Sequence, residues 1–130
     1  MIERYGSGSP FEAQVGYCRV VRAGDMLHVA GCTSTGEDGV VLYPGDAYEQ
    51  ARQALTNVGT ALSLSGATFA DVVRTRIYVT DISRWEDIGR AHAEVFAATP
   101  PASAMVQVVA LIDPRMLVEF EADAYVAALS

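Results

Sequence analysis

Glu119, Glu121 and Asp123 occupy alternate positions of the run Val118-Glu119-Phe120-Glu121-Ala122-Asp123-Ala124. On a strand, this alternation puts three carboxylates on one face and the apolar groups on the other. Carboxylates sharing a face raise each other's pKa unless a cation neutralises them. Glu119 is therefore a candidate general acid or base, or the group that holds an attacking water. The competing reading is an ion pair with Arg74 or Arg76 at an interface. Glu121 and Asp123 rank below Glu119.

Gly31-Cys32 ends a short apolar run, where a thiol beside loop amides can be reactive. Small apolar packing is the commoner use of such a cysteine, and no motif supplies it with a base. Gly31 and the small residues after it can present backbone amides to a ligand. Tyr17 follows a glycine before a strand and can line a cleft, with core or interface packing as the rival. His28 and His92 have no acidic or cysteine partner at ligand spacing, so no metal is expected. No phosphate-binding loop, dinucleotide fingerprint, nucleophile elbow or zinc-protease motif occurs, and no cofactor is expected.

The elements that must position these groups fit one domain, residues 1–130. Net charge is −7, and no basic patch is evident, which makes nucleic acid an unlikely partner. No apolar run is long enough for a membrane span, and the N-terminus has no signal-peptide core. Cys18 and Cys32 read as reduced thiols of a cytoplasmic protein.

Residues 1–15 read as an edge strand or a loose arm. Tyr17–Arg22 and Met26–Cys32 read as a hairpin turning at Ala23-Gly24-Asp25. Val40–Tyr43 can add a small strand. Asp46 and Glu49 form a capping box for a helix to about Ser65, with Ala47, Ala51, Leu55, Val58 and Leu62 as its apolar stripe. Val72–Thr80 alternates, with Val73, Thr75, Ile77 and Val79 on one face and Arg74, Arg76, Tyr78 and Thr80 on the other. Ser83 and Glu86 suggest a second capping box. The helix that follows carries Trp85, Ile88, His92 and Val95 on one side and ends at Pro100-Pro101.

The uncharged segment 99–109, TPPASAMVQVV, begins a strand over Ala102–Leu111, and a last strand covers Leu117–Ala127. The result is an α/β (α+β) sandwich, a mixed sheet of about six strands with two helices on one face. The uncovered face is expected to carry Arg74, Arg76 and Tyr78, the three acids, and Ser103, Met105, Gln107 and Val109. His28, Ala30 and Cys32 join it from the other side. Such a mixture suits a subunit interface.

Gly16-Tyr17, Gly24-Asp25-Met26, the VAG at 29–31 and the QAxxALxNV at 50–58 form an ordered set. It continues with VVRTRIYVTDIS at 72–83, PxAxxxVxVxxL near 101–111 and VEFEADA at 118–124. In order and spacing the set resembles the Rid family, also called YjgF/YER057c/UK114, over nearly the whole chain. The resemblance implies a chorismate-mutase-like fold and a homotrimer whose sheets form a barrel, with small-molecule clefts between subunits. It implies hydrolysis of enamines and imines, notably 2-aminoacrylate, to a 2-keto acid and ammonia.

Residue by residue, the resemblance makes Tyr17 the cleft tyrosine, Glu119 the water-positioning glutamate and Gly31 a glycine of the pattern. The family's carboxylate-gripping arginine falls on Ser103, its thiol residue on Met105 and its helix asparagine on Gly89. A serine hydroxyl cannot replace a charged two-donor fork. A carboxylate clamp would then have to come from Arg19, Arg74, Arg76 or Arg115, of which Arg115, in the turn before the last strand, is the most interesting substitute. The expectation is an enzyme for an imine, enamine or related reactive metabolite other than 2-aminoacrylate. The alternatives are a non-enzymatic trimeric binding or interaction protein and, less favoured, an endoribonuclease.

Overall fold

The computed structural model describes residues 1–127. Six strands form one sheet: β1 (Ile2–Tyr5), β2 (Val20–Ala23), β3 (Met26–Cys32), β4 (Val72–Val79), β5 (Ala102–Gln107) and β6 (Val118–Tyr125), in the order β1-β2-β3-β6-β4-β5. Only β4 and β5 run parallel. A crossover helix must join such strands, and α3 (Trp85–Phe96) does so. The long helix α2 (Ala47–Leu64) lies beside α3 on the same face, and a short helix α1 (Pro10–Val15) precedes β2. The first fifteen residues are thus an edge strand and a helical turn. Val40–Tyr43 supplies one bridge, Thr35 to Val41, and no strand.

The apolar stripe of α2 is buried as its spacing requires. Asp46 caps it, accepting from the Glu49 amide at 3.0 Å. At α3 the expected Ser83–Glu86 box does not form. Asp81 instead accepts from the Ser83 amide at 3.0 Å and starts a 3₁₀ turn, Ile82–Arg84, which leads into the helix. Trp85, at the resulting start of α3, is exposed, while Ile88, Ala91 and Phe96 are buried.

Three face assignments change. Val73 is exposed because the β4–β6 pairing slips between Val72 and Arg74, so Val72 takes the buried position. Cys32 is buried because β3 gains one residue against β6 between Val29 and Cys32. That bulge turns the next side chain to the opposite face. In β5 the phase is reversed. Ser103 pairs with Thr75, Met105 with Ile77 and Gln107 with Val79, all on the helix side. Ala102, Ala104 and Val106 lie with Arg74, Arg76 and Tyr78 on the open face.

Gln50 faces the core with no exposure. Its Nε2 donates to the Arg115 carbonyl at 2.8 Å, and its Oε1 accepts from the Leu117 amide at 2.8 Å. The side chain thus fixes the turn that delivers β6, and with it Glu119. Gln50→Leu leaves both backbone groups unpaired and is expected to cost about 2 kcal/mol or more. Urea unfolding with an unchanged slope checks this.

Candidate functional site

The β3 bulge and the start of β2 converge on Glu119. A Cβ on Gly31 would lie 2.5 Å from a Glu119 carboxyl oxygen and 2.8 Å from the carboxyl carbon. The absent side chain is the space the carboxylate occupies. Burial pushes the Glu119 pKa up, Glu121 on the same face adds to this, and Arg19 opposes it. A carboxyl so placed holds its proton to higher pH than a free glutamate does. Its ion pair with Arg74 or Arg76 does not form. Arg76 binds Asp123 at 2.9 Å, and Glu121 accepts from the Tyr78 hydroxyl at 2.5 Å.

Arg19 organises the cluster. Its guanidinium donates to the Gly31 carbonyl at 2.6 Å, to the Cys32 Sγ at 3.6 Å and to the Tyr17 hydroxyl at 3.3 Å. It lies 3.7 Å from a Glu12 carboxyl oxygen, with side-chain exposures of 12% and 9%. Glu12 also accepts from the Ser7 hydroxyl and, at 3.1 Å, from the Ser7 amide. Burial would raise the Glu12 pKa, but the Ser7 hydrogen bonds and Arg19 together hold it below its ordinary value. The Tyr17 oxygen accepts from Arg19, so its own proton is free to be donated into the space beside it.

Cys32 belongs to the cluster, but burial raises its thiol pKa against the opposing pull of Arg19. It remains a thiol at neutral pH and serves Arg19 as a weak acceptor. Tyr17, Gly31, Cys32 and Glu119 thus come together within one chain. Ser103, Met105 and Arg115 do not join them. Met105 packs against the core. Arg115 forks onto Asp113 at 3.0 and 2.8 Å and holds that carboxyl at about 2. Ser103 accepts from Thr75 at 2.8 Å, and Thr75 meets His92 Nε2 at 2.9 Å.

Arg19 enters the sequence reading only as one of four arginines that could replace the carboxylate clamp, and Glu12 lies in the segment read as an edge strand or a loose arm. The signal for Arg19 was its place two residues after Tyr17, on the same side of an extended segment. Nothing local marked Glu12. Among the described residues no group of histidines, cysteines and acids could hold a metal ion.

Gly31→Ala tests the close approach. The alanine methyl displaces the end of a flexible side chain, so the fold tolerates it while the carboxyl moves. Unfolding is expected to stay within about 1 kcal/mol of wild type, with Glu119-dependent activity down about tenfold or more.

The fold is a small mixed-sheet domain with two long helices on one face and a half-buried carboxyl over a bulged strand. The chain belongs to the YjgF/YER057c/UK114 family, and residues 8–126 match the family profile described as Endoribonuclease L-PSP. The crystal structure of Rv2704 from Mycobacterium tuberculosis, a member of that family, is 51% identical. It superposes with a TM-score of 0.87 over 97% of this chain and 100% of that one. SCO2049 of Streptomyces coelicolor is 38% identical over 95% of this chain and 92% of its own. A 2-iminobutanoate/2-iminopropanoate deaminase of Capra hircus is 30% identical over 85% of this chain and 82% of its own. Among the described residues no helix is long and apolar enough to cross a membrane.

Proposed function

We propose that the protein hydrolyses an imine or enamine in a cleft between subunits, with Glu119 as the proton-transferring group. The observation that carries this is the Glu119 carboxyl, half-buried against Gly31 with a raised pKa. In its protonated form it protonates the imine nitrogen. The resulting carboxylate takes a proton from water as the oxygen adds to carbon. The carbinolamine then loses ammonia, breaking C–N and leaving a carbonyl, so that R₂C=NH and H₂O give R₂C=O and NH₃. Tyr17, with Arg19 on its oxygen, donates to the substrate from the side.

The open sheet face fits a homotrimer interface. It carries Tyr78, Val106 and pre-paired charges, and Val109 and Ile112 beyond β5 are strongly exposed. In such an assembly the resemblance would put Ser103 at the cleft wall. Cleavage of RNA, which the family profile's description suggests, is less favoured. The net charge is −7, and Arg76 on the open face is bound to Asp123.

The test generates imines from a panel of amino acids with an amino-acid oxidase and follows their decay by stopped flow. Multiple turnover that disappears in Glu119→Gln is expected. Decay equal in wild type and variant across the panel would overturn the reading.

A further inference from the structure

The segment that leaves β3 is held from the middle of α2. Asn57 Nδ2 has two protons, and they go to the Thr33 and Thr35 carbonyls, each at 2.9 Å. Its Oδ1 accepts from Gln53 Nε2 at 3.1 Å, so the amide is oriented by a partner one turn earlier on the helix. Between the two carbonyls, Ser34 is fully buried. Its hydroxyl donates to the Leu42 carbonyl at 2.9 Å, and its own carbonyl accepts from the Leu42 amide at 3.2 Å. These bonds join the two ends of the loop 34–42, and Asn57 ties the first of them to the helix. Ala54, Leu55 and Val58 anchor that stretch of helix in the core.

We infer that Asn57 is a positioning residue of the Glu119 site, fixing the exit of β3 and thereby the place of Gly31 beneath the carboxyl. The register shift between Val29 and Cys32 leaves an extra residue outside the regular ladder. The path of the chain there depends on what grips it at each end. Arg19 grips the Gly31 carbonyl at 2.6 Å, and Asn57 grips the chain one residue past Cys32. Clearance at the site is small, since a Cβ on Gly31 would lie 2.5 Å from a Glu119 carboxyl oxygen. A small movement of Gly31 therefore changes what surrounds that carboxyl. The part of Asn57 in catalysis rests on the hydrolase reading above; its effect on Glu119 does not.

Carbon-13 NMR of the glutamate carboxyls in the intact protein reads Glu119 directly and needs no substrate. In Asn57→Ala the Thr33 and Thr35 carbonyls lose their donor, the β3 exit relaxes and water reaches the carboxyl. Glu119 should then titrate at lower pH than in wild type, because burial is the first cause of its raised pKa. Val58→Ala, at the next residue, opens a cavity in the core instead. It should lower the denaturant midpoint and leave the Glu119 titration in place. Gln53→Ala keeps both carbonyl bonds and frees only the orientation of the Asn57 amide, so it should fold and shift Glu119 the same way by less. A double-mutant cycle with Gly31→Ala completes the test. Both substitutions move Glu119 off Gly31, so the double variant should shift no further than the larger single one; independent effects would add. Wild-type titration in Asn57→Ala, or in Gln53→Ala where Asn57→Ala does not fold, would overturn the inference. Additive shifts, or an equal shift in Val58→Ala, would overturn it too. Absence of imine turnover in wild type with these shifts intact would sink the hydrolase reading and leave Asn57 in its place.

Discussion

Glu119→Gln should lower imine hydrolysis by about 100-fold or more while leaving the fold as stable as wild type, or more so, at neutral pH. The two effects have one origin. Burial and Glu121 hold the Glu119 pKa above its ordinary value, so the folded protein binds this proton more tightly than the unfolded chain does. Stability from the group is fully present below the unfolded pKa, about 4.3. It is lost as pH rises through the folded value. Glutamine keeps the shape and removes that loss. The variant should match wild type near pH 4 and gain on it as pH rises through the folded pKa of Glu119, read as the difference in denaturant midpoints.

The activity side has its own pH signature. A carboxyl that must give a proton and then take one works best near its own pKa. The wild-type rate should fall on the alkaline side as Glu119 loses the proton it has to deliver. A Glu119→Gln rate that is low and flat across the same range would identify the titrating group. A variant that kept the wild-type profile would remove Glu119 from the chemistry.

The sequence showed the fold well and the site unevenly, for physical reasons. The α2 stripe and the β6 alternation each register burial residue by residue, so their faces could be read locally. In β5 every side chain from Ala102 to Val106 is small or apolar, so the pattern does not say which face is inside. Its phase is set by the parallel pairing of Thr75 with Ser103, a long-range fact. Cys32 was misplaced by the single extra residue between Val29 and Cys32, which a strict period of two cannot anticipate. That bulge is also what brings Gly31 beneath Glu119. The feature least visible in the sequence is therefore the one that builds the site. Arg115 looked like the useful arginine because it precedes β6, but a turn that places Asp113 two residues before it supplies a partner at once.

Arg19→Leu is expected to cost about 3 kcal/mol in stability and to lower activity together with it. Its guanidinium is nearly buried and bonds the Gly31 carbonyl, Tyr17 hydroxyl and Cys32 sulfur, with Glu12 close by. Leucine fills much of the volume but leaves Glu12 buried without its cation and the bulge carbonyl without its donor. Part of the deficit should depend on pH. Glu12 has a lowered folded pKa, so its contribution is present above the unfolded pKa and is lost as pH falls through the folded value. With Arg19 gone that lowering is smaller, so the gap between variant and wild type should be widest at neutral pH and narrow in acid. At Glu119 the loss acts in the same sense and raises the pKa further, because Arg19 is the cation that restrains its upward shift. The alkaline limb of the remaining activity should move to higher pH. Arg19→Lys separates charge from geometry: an ammonium keeps the restraint on Glu119 but cannot bond Gly31 and Tyr17 together. It should hold the wild-type pH profile at reduced rate. If Arg19→Leu instead unfolds at the wild-type midpoint with its activity intact, the guanidinium is a passenger and the cluster stands without it.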